Sequence, residues 1–388
     1  MSKIKRRFLT AAAASVLLSA ACVMPAFAQQ SPEFARTPEE WASLRDDVLE
    51  YGEIEALIHE YNVTVLKNAA SFRSEEKQSS SDIAQSYYDA AEKTISSLAD
   101  EDPDAGNYAG AVSGNLNKQI QYENLMKQGD TNTNDTETKK LGYEKTEMQL
   151  VKQAQEQMIS YWSQLNSLSG SEANLRSAQQ AYETALNRQA AGTGTAADVS
   201  SAQSRVTSSQ ASLDSARSSL ASARSSLIMM MGWSYDADVD IRPLPEVSEA
   251  EIAAIDLAAD IAAAKENNIS LKTIRRQYEN AHHAPTKENL GRDKESAERA
   301  IENNVNSLYN ALILAQSSYA QAAASRANQN AALETAGRKL KAGLITQKSY
   351  DQTAASLTGS DSSLEGKKLD LLKAYNAYKW AVRGLAST

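Results

Sequence analysis

Apolar residues recur along the chain with the alternating three- and four-residue spacing of helices that pack against each other. The clearest run alternates larger apolar residues with small ones: Val199, Ala202, Val206, Ser209, Leu213, Ala216, Leu220, Ala223, Leu227 and Met230. A preceding segment has the same spacing at Leu168, Ser171, Leu175, Ala178, Tyr182 and Ala185. Between the two runs, Gly192 and Gly194 can end one helix and Thr195 can cap the next. The pattern predicts an antiparallel helical hairpin whose small seam residues let the two backbones approach closely.

The same pattern recurs near the C-terminus. Its heptad positions are Leu312, Tyr319, Arg326, Leu333 and Leu340 before a second turn, and Tyr350, Leu357, Leu364, Leu371, Tyr378 and Leu385 after it. The two turns align without gaps, so Gly192 corresponds to Gly343. A shorter element precedes each hairpin and ends near Asn62 in the first copy and at Asn268 in the second. The chain is therefore predicted to contain two copies of one unit, a short element followed by a helical hairpin.

The predicted fold is all-α: two tandem long antiparallel coiled-coil hairpin repeats with little or no β structure. The first repeat is expected at 29–234, with an inserted helical segment at 72–142. A proline-containing linker at 235–248 separates it from the second repeat at 249–388. Within the insertion region, the polar tract 132–140 is predicted to be a solvated loop.

Residues 1–28 have the features of a secretory signal peptide, namely a basic start, an apolar run and the small-x-small pattern Ala-Phe-Ala at 26–28. The expected mature chain begins at Gln29. Cys22 offers an alternative as a lipoprotein cleavage site, but Ser19 stands where an aliphatic residue is usual. We therefore expect an exported protein without a lipid anchor.

Charge and cysteine content limit the function classes. The formal net charge is −9, and removal of the four cations of the signal peptide brings it near −13 (−9 − 4). Such a surface disfavours nucleic acid and anionic membranes as partners. The one cysteine, Cys22, lies in the signal peptide, so no disulfide or thiol chemistry is expected in the mature chain. No later segment has the roughly 18 consecutive apolar residues that a membrane helix needs.

Motifs for catalysis or cofactor binding are not found. The chain shows no nucleophile–base arrangement and no phosphate-binding glycine loop, so we expect neither an enzyme nor a cofactor. His282 and His283 lie close to Glu288, but adjacent histidines on a helix point in different directions. An exposed loop is expected there rather than a metal site.

The turn sequences resemble a known family. The string Tyr182-x5-Arg188-x3-Gly192-x2-Thr195-x2-Asp198-Val199 resembles the hairpin-tip signature of the TolC-type outer-membrane efflux factors. The second copy, Arg338-Lys339-x3-Gly343-Leu344-x-Thr346-x3-Tyr350, resembles the same signature with Tyr in place of Val. The resemblance extends from about residue 50 to the end of the chain.

This resemblance implies a homotrimer of left-handed coiled coils that forms a hollow α-helical conduit. It also implies that the hairpin tips meet a periplasmic membrane-fusion adaptor protein and an ABC-type or other inner-membrane transporter. The candidate adaptor contacts are Arg188, Gly192, Thr195 and Asp198 in the first tip, and Lys339, Gly343, Leu344 and Thr346 in the second. The plain alternative is that both turns are ordinary helix caps.

One departure from the family concerns its membrane β-strands, of which each half carries a pair. The second half runs from Tyr278 to Glu288 directly into a charged helix, and 72–142 has the pattern of polar helices and loops. The sequence therefore predicts a divergent member without these strands.

Two function classes remain. The first is a conduit or scaffold component of a tripartite efflux or secretion system. The second is a coiled-coil structural or interaction protein of the cell envelope with no transport role, which a closed monomeric four-helix bundle would suit. The expected location is the periplasm or the outer membrane, or the cell-wall side where no outer membrane exists.

Overall fold

The computed structural model describes residues 31–74, 77–104 and 106–388, and helices account for 81% of these residues. The predicted signal peptide and Cys22 lie outside the described residues. The first half contains α1 (Pro38–Ser43), β1 (Val48–Leu49), α2 (Ile54–Tyr61), α3 (Val63–Ser74), α4 (Ser80–Ser96), α5 (Tyr108–Thr131), α6 (Thr136–Ala190) and α7 (Ala196–Met230). The second half contains β2 (Asp240–Ile241), α8 (Glu249–Ala253), α9 (Leu257–Asn267), α10 (Ile269–Asn280), α11 (Ala284–Lys341) and α12 (Gln347–Trp380).

The first long hairpin, α6 with α7, is held by the seam that the sequence predicts. Each of the seam positions of α7 is buried or half-buried, and every intervening residue from Ser200 to Ser222 is exposed. The six seam positions of α6 are half-buried in the same way. Along these stretches burial therefore follows the seam between the two helices.

The second long hairpin, α11 with α12, has a more mixed seam. Leu312 and Tyr378 are fully buried, and the Tyr378 hydroxyl donates to Asp260 at 2.7 Å. Arg326, which occupies a heptad position, is exposed and pairs with Asp361 of α12 at 2.9 Å. A cross-helix ion pair thus replaces apolar packing at this level of the seam.

The four long helices form a layer in the order α7, α6, α12, α11. Asn166 of α6 donates its side-chain amide to the carbonyl of Ser362 in α12 at 2.9 Å, and Trp380 donates to Gln155 at 2.8 Å. Because α6 and α12 run antiparallel, the two hairpin turns lie at the same end of the layer. Helices α7 and α11 form its two edges.

The apolar core lies at the opposite end from the turns. There β1 and β2 pair in parallel, with Val48 opposite Asp240 and Leu49 opposite Ile241. Residues 237–244 therefore pack onto the first repeat, since Val239 and Ile241 are both buried in its core, while Val247 packs against the core of the second repeat.

A pair of equivalent asparagines ties each short helix to its hairpin. Asn62 ends α2, accepts from the amides of Thr64 and Val65, and donates to the carbonyl of Met230 at 2.9 Å. Asn268 ends α9, accepts from the amide of Leu271 at 3.0 Å, and donates to the carbonyl of Ala386 at 2.8 Å. The duplicated sequence thus builds the same side-chain clamp twice.

The polar tract 132–140 is not a solvated loop throughout, so that prediction is wrong. Helix α6 begins at Thr136 because Asp135 caps it by accepting from the amide of Thr138. Asp135 is buried and also accepts from Arg276 at 2.6 Å and Asn280 at 2.9 Å, both on α10. Burial raises the pKa of the Asp135 carboxyl, but these hydrogen bonds outweigh it and hold the pKa below its usual range.

The described residues of 72–142 and 278–288, for which the sequence predicts no membrane strands, form helices and short connections. In the first half, α4 and α5 form a small hairpin that contacts the body near its base, where the Gln78 amide donates to the Thr136 hydroxyl of α6 at 2.8 Å. In the second half, residues 281–283 join α10 directly to α11. Within the described ranges, β1 and β2 are the two strands, in agreement with the predicted all-α class. No helix of those ranges is long and apolar enough to cross a bilayer.

Candidate functional site: the two hairpin tips

The first tip is a Schellman turn that closes α6. The amide of Thr193 donates to the Arg188 carbonyl at 2.8 Å, and the amide of Gly192 donates to the Gln189 carbonyl at 2.9 Å. Gly192 has φ +71°, a left-handed conformation that costs a residue with a side chain about 1–2 kcal/mol. The left-handed backbone at this position therefore explains why the sequence has glycine there.

The second tip repeats this geometry closely. The amide of Leu344 donates to the Lys339 carbonyl at 2.9 Å, and the amide of Gly343 donates to the Leu340 carbonyl at 2.9 Å. Gly343 has φ +70°. A methyl group placed on Gly192 or Gly343 would meet no atom within 4 Å, so both glycines face open space.

The helices that leave the turns are capped by threonines. Thr195 accepts from the amide of Asp198, whose carboxylate accepts in return from the amide of Thr195, a reciprocal capping box. The donation from the Thr195 amide holds the pKa of the Asp198 carboxyl below its usual range. In the second tip, Thr346 accepts from the amide of Ser349, and no carboxylate takes the place of Asp198.

All eight residues predicted as adaptor contacts lie in or beside these two turns, and all are exposed. Arg188 donates to the carbonyl of Thr193 at 3.4 Å, while Leu344 projects with 74% of its surface exposed. Three neighbouring cations that are exposed at the second turn are not among the predicted contacts: Arg338, Lys341 and Lys348. A comparison of charge between the aligned turns would have found them.

The rest of the described chain offers few alternative sites. No group of three or more metal-ligating side chains occurs among the described residues. His282 and His283 are exposed, and His283 Nδ1 lies 3.1 Å from the Thr286 hydroxyl. Near the apolar core, His59 contacts Glu147 at 2.7 Å, and this hydrogen bond raises the pKa of the histidine.

Sequence comparisons find no matching protein-family model and no matching curated protein. Comparison of folds finds the crystal structure of the Campylobacter jejuni CmeC outer membrane channel at a TM-score of 0.50 and 9% identity, over 89% of this chain and 87% of that chain. The outer membrane protein VceC from Vibrio cholerae matches at a TM-score of 0.49 and 11% identity, over 86% and 96% of the two chains. At 9% identity the likeness to CmeC shows the fold alone. The chain therefore has the helical-hairpin fold of the TolC-type channels.

Proposed function

We propose that this chain is an exported, TolC-like component of a tripartite efflux or secretion system. It serves as a helical conduit or scaffold in the cell envelope and contacts an adaptor protein through its hairpin tips. The observation that carries this proposal is a pair of equivalent glycine turns, exposed at one end of a fold similar to that of the CmeC outer membrane channel.

The tips suit a docking role because their own hydrogen bonds are already made. The Schellman bonds and the threonine caps satisfy the backbone groups at the helix ends, so a partner need not supply them. The open space around Gly192 and Gly343 allows a partner backbone to approach closely. Arg188 and Lys339 stand at equivalent positions beside the glycines, where they can reach acids or carbonyls of that partner.

The layer of long helices supports self-association, with the trimer as the proposed assembly. Contacts run from α7 to α6, from α6 to α12 and from α12 to α11, which leaves α7 and α11 as edges. An edge of one copy can pack against the opposite edge of the next, and such head-to-tail contacts close into a ring. An ABC-type or other inner-membrane transporter is the proposed third component.

Replacing Gly343 by leucine tests the docking role. The turn is exposed, so the far-ultraviolet circular dichroism of the variant should match that of the wild type. Photo-crosslinking from position 339 in cells should capture an adaptor protein with the wild type, and this product should be lost with Gly343→Leu. The matched control is Gly142→Leu, an exposed glycine on α6 with no atom within 4 Å and about 70 Å from the turn.

Two results would contradict the proposal. If Gly343→Leu folds, captures the adaptor and restores export in a deletion strain, the turns are ordinary helix caps. If light scattering shows a single chain at micromolar concentration, the chain does not form the proposed trimeric conduit.

A second candidate is an envelope structural protein without a transport role. The helical pair α4 and α5, in the segment where the family carries membrane strands, favours it. Deletion of the gene would then leave export unchanged while altering the envelope itself.

A further inference from the structure

The two tips share one backbone but present different side chains. The aligned windows 184–199 and 335–350 have the same turn bonds and glycine φ angles of +71° and +70°. The first window holds Arg188 and Asp198, for a net charge of 0. The second window holds four cations and no acid, for a net charge of +4, in a chain whose formal charge is −9. These cations are Arg338, Lys339, Lys341 and Lys348.

Helix stability accounts for only part of this charge. Cations in the last turn of α11 interact favourably with the helix dipole, which explains Arg338, Lys339 and Lys341 in part. Lys348 lies in the first turn of α12, where the dipole disfavours a cation. Ser349 also replaces the capping acid that the first tip has in Asp198. At Lys348 and Ser349, therefore, the second tip is more positive than helix stability requires.

These cations are free to meet a partner. Within the part of the chain that the structure describes, none of the four takes part in an ion pair, and all four are exposed. The acids that flank the window are engaged by amides, with Glu334 accepting from Asn330 at 3.2 Å and Asp351 from Gln347 at 2.8 Å.

The apex of the second tip is also more apolar. Leu344 and Ile345 stand where the first tip has Thr193 and Gly194. Leu344 is 74% exposed and Ile345 is half-buried against the turn. An exposed leucine flanked in sequence by cations suits an interface in which the leucine enters a small apolar pocket with a charged rim.

We infer that the second tip selects the docking partner, and that this partner is a protein that presents acidic side chains around an apolar pocket for Leu344. The inference rests on the proposed docking function and names the chemistry of the partner. The remaining surface of the chain is acidic and repels such a partner, so electrostatic attraction is confined to this tip and orients the encounter. One exposed leucine offers little area for insertion into a bilayer, and the acidic body of the chain is repelled by anionic lipid.

The first tip supplies the residues for a matched test. The variant Arg338→Asn, Lys341→Ala, Leu344→Thr and Lys348→Ala installs in the second tip what the first tip holds on the same backbone, so it should fold like the wild type. Photo-crosslinkers at Gln347 and at the equivalent Ala196, both exposed, report on each tip separately.

With the wild type, capture from Gln347 should yield a protein whose crosslinked peptide is rich in Asp and Glu. Each exposed ion pair contributes about 1.5- to 5-fold in affinity, so the four-residue variant should bind about tenfold more weakly at physiological salt. Capture by the wild type should also fall as salt is raised, because exposed charges are screened. The reverse graft Asn187→Arg, Ala190→Lys, Thr193→Leu and Ala197→Lys should increase capture from Ala196.

The outcomes separate this inference from the proposed function. If neither position captures a protein, docking through the tips is refuted. If Ala196 captures an adaptor while Gln347 does not, or if the four-residue variant binds as the wild type does, the inference fails and the docking role stands. A crosslinked peptide without acidic residues also overturns it. Binding to phosphatidylglycerol vesicles that the four-residue variant abolishes would show that the tip meets a membrane, and would overturn it too.

Discussion

Replacing Asn268 by alanine should lower the free energy of unfolding by about 1.5–5 kcal/mol. The side chain is fully buried, accepts from the Leu271 amide at 3.0 Å and donates to the Ala386 carbonyl at 2.8 Å. Loss of the cap on α10 costs about 0.5–2 kcal/mol. The Ala386 carbonyl loses its donor in a buried position, which adds about 1–3 kcal/mol.

Urea unfolding followed by circular dichroism measures this difference. Asn330→Ala is the control, because the half-buried Asn330 side chain donates to exposed Glu334 in a hydrogen bond open to water, so its loss should change stability by less than about 0.5 kcal/mol. Asn268→Asp tests the donated bond. A carboxylate keeps the cap but places a buried negative charge against the Ala386 carbonyl oxygen, so this variant should be at least as unstable as Asn268→Ala at neutral pH. Protonation restores a donor, so the variant should recover on acidification.

A loss below about 0.5 kcal/mol for Asn268→Ala would refute the clamp. It would mean that the end of the second hairpin is held by apolar packing alone. The equivalent Asn62→Ala should show the same sign, since it breaks the bond to the Met230 carbonyl and the cap on α3.

Two further predictions concern a glycine and a histidine. Gly384→Ala should lower the free energy of unfolding by about 3 kcal/mol or more, since φ is +131° and the new methyl would lie 2.7 Å from the Asn267 carbonyl oxygen. Gly343→Ala, in its open turn, should lower it by about 1–2 kcal/mol. Thermal unfolding of both variants compares the two losses. Glu147 raises the pKa of His59 above 6.5, so the stabilisation is full below that value and is lost as pH rises through the raised pKa. His59→Gln should therefore destabilise the protein more at about pH 6 than at about pH 9 by urea titration, and equal losses at the two pH values would refute the linkage.

Much of the fold could be predicted from the sequence because its signals are local and periodic. A heptad pattern repeats every two turns of one helix, so the seam from Val199 to Met230 is visible before any partner is known, and the structure buries or half-buries each of its positions. Glycine at a left-handed position is equally local, which is why Gly192 and Gly343 marked the two turns.

Contacts between distant residues were decided by the tertiary structure. The tract 132–140 was predicted as a loop because its polarity shows no period, yet Asp135 starts α6 there and is buried by Arg276 and Asn280 from the other half of the chain. The pairing of β1 with β2 joins strands of two residues each, which are too short to show an alternation.

The exposure and pairing of the side chains at the two tips were also decided by the tertiary structure. The sequence placed both turns and aligned them, because the glycine, threonine and basic positions lie within a few residues of each other. Only the tertiary structure showed that both turns lie at one end of the layer and that Leu344 projects while its four neighbouring cations make no ion pair within the described ranges. Exposure and pairing are properties of the whole surface, since any distant segment could have covered these side chains, and a local pattern carries no information about such a segment.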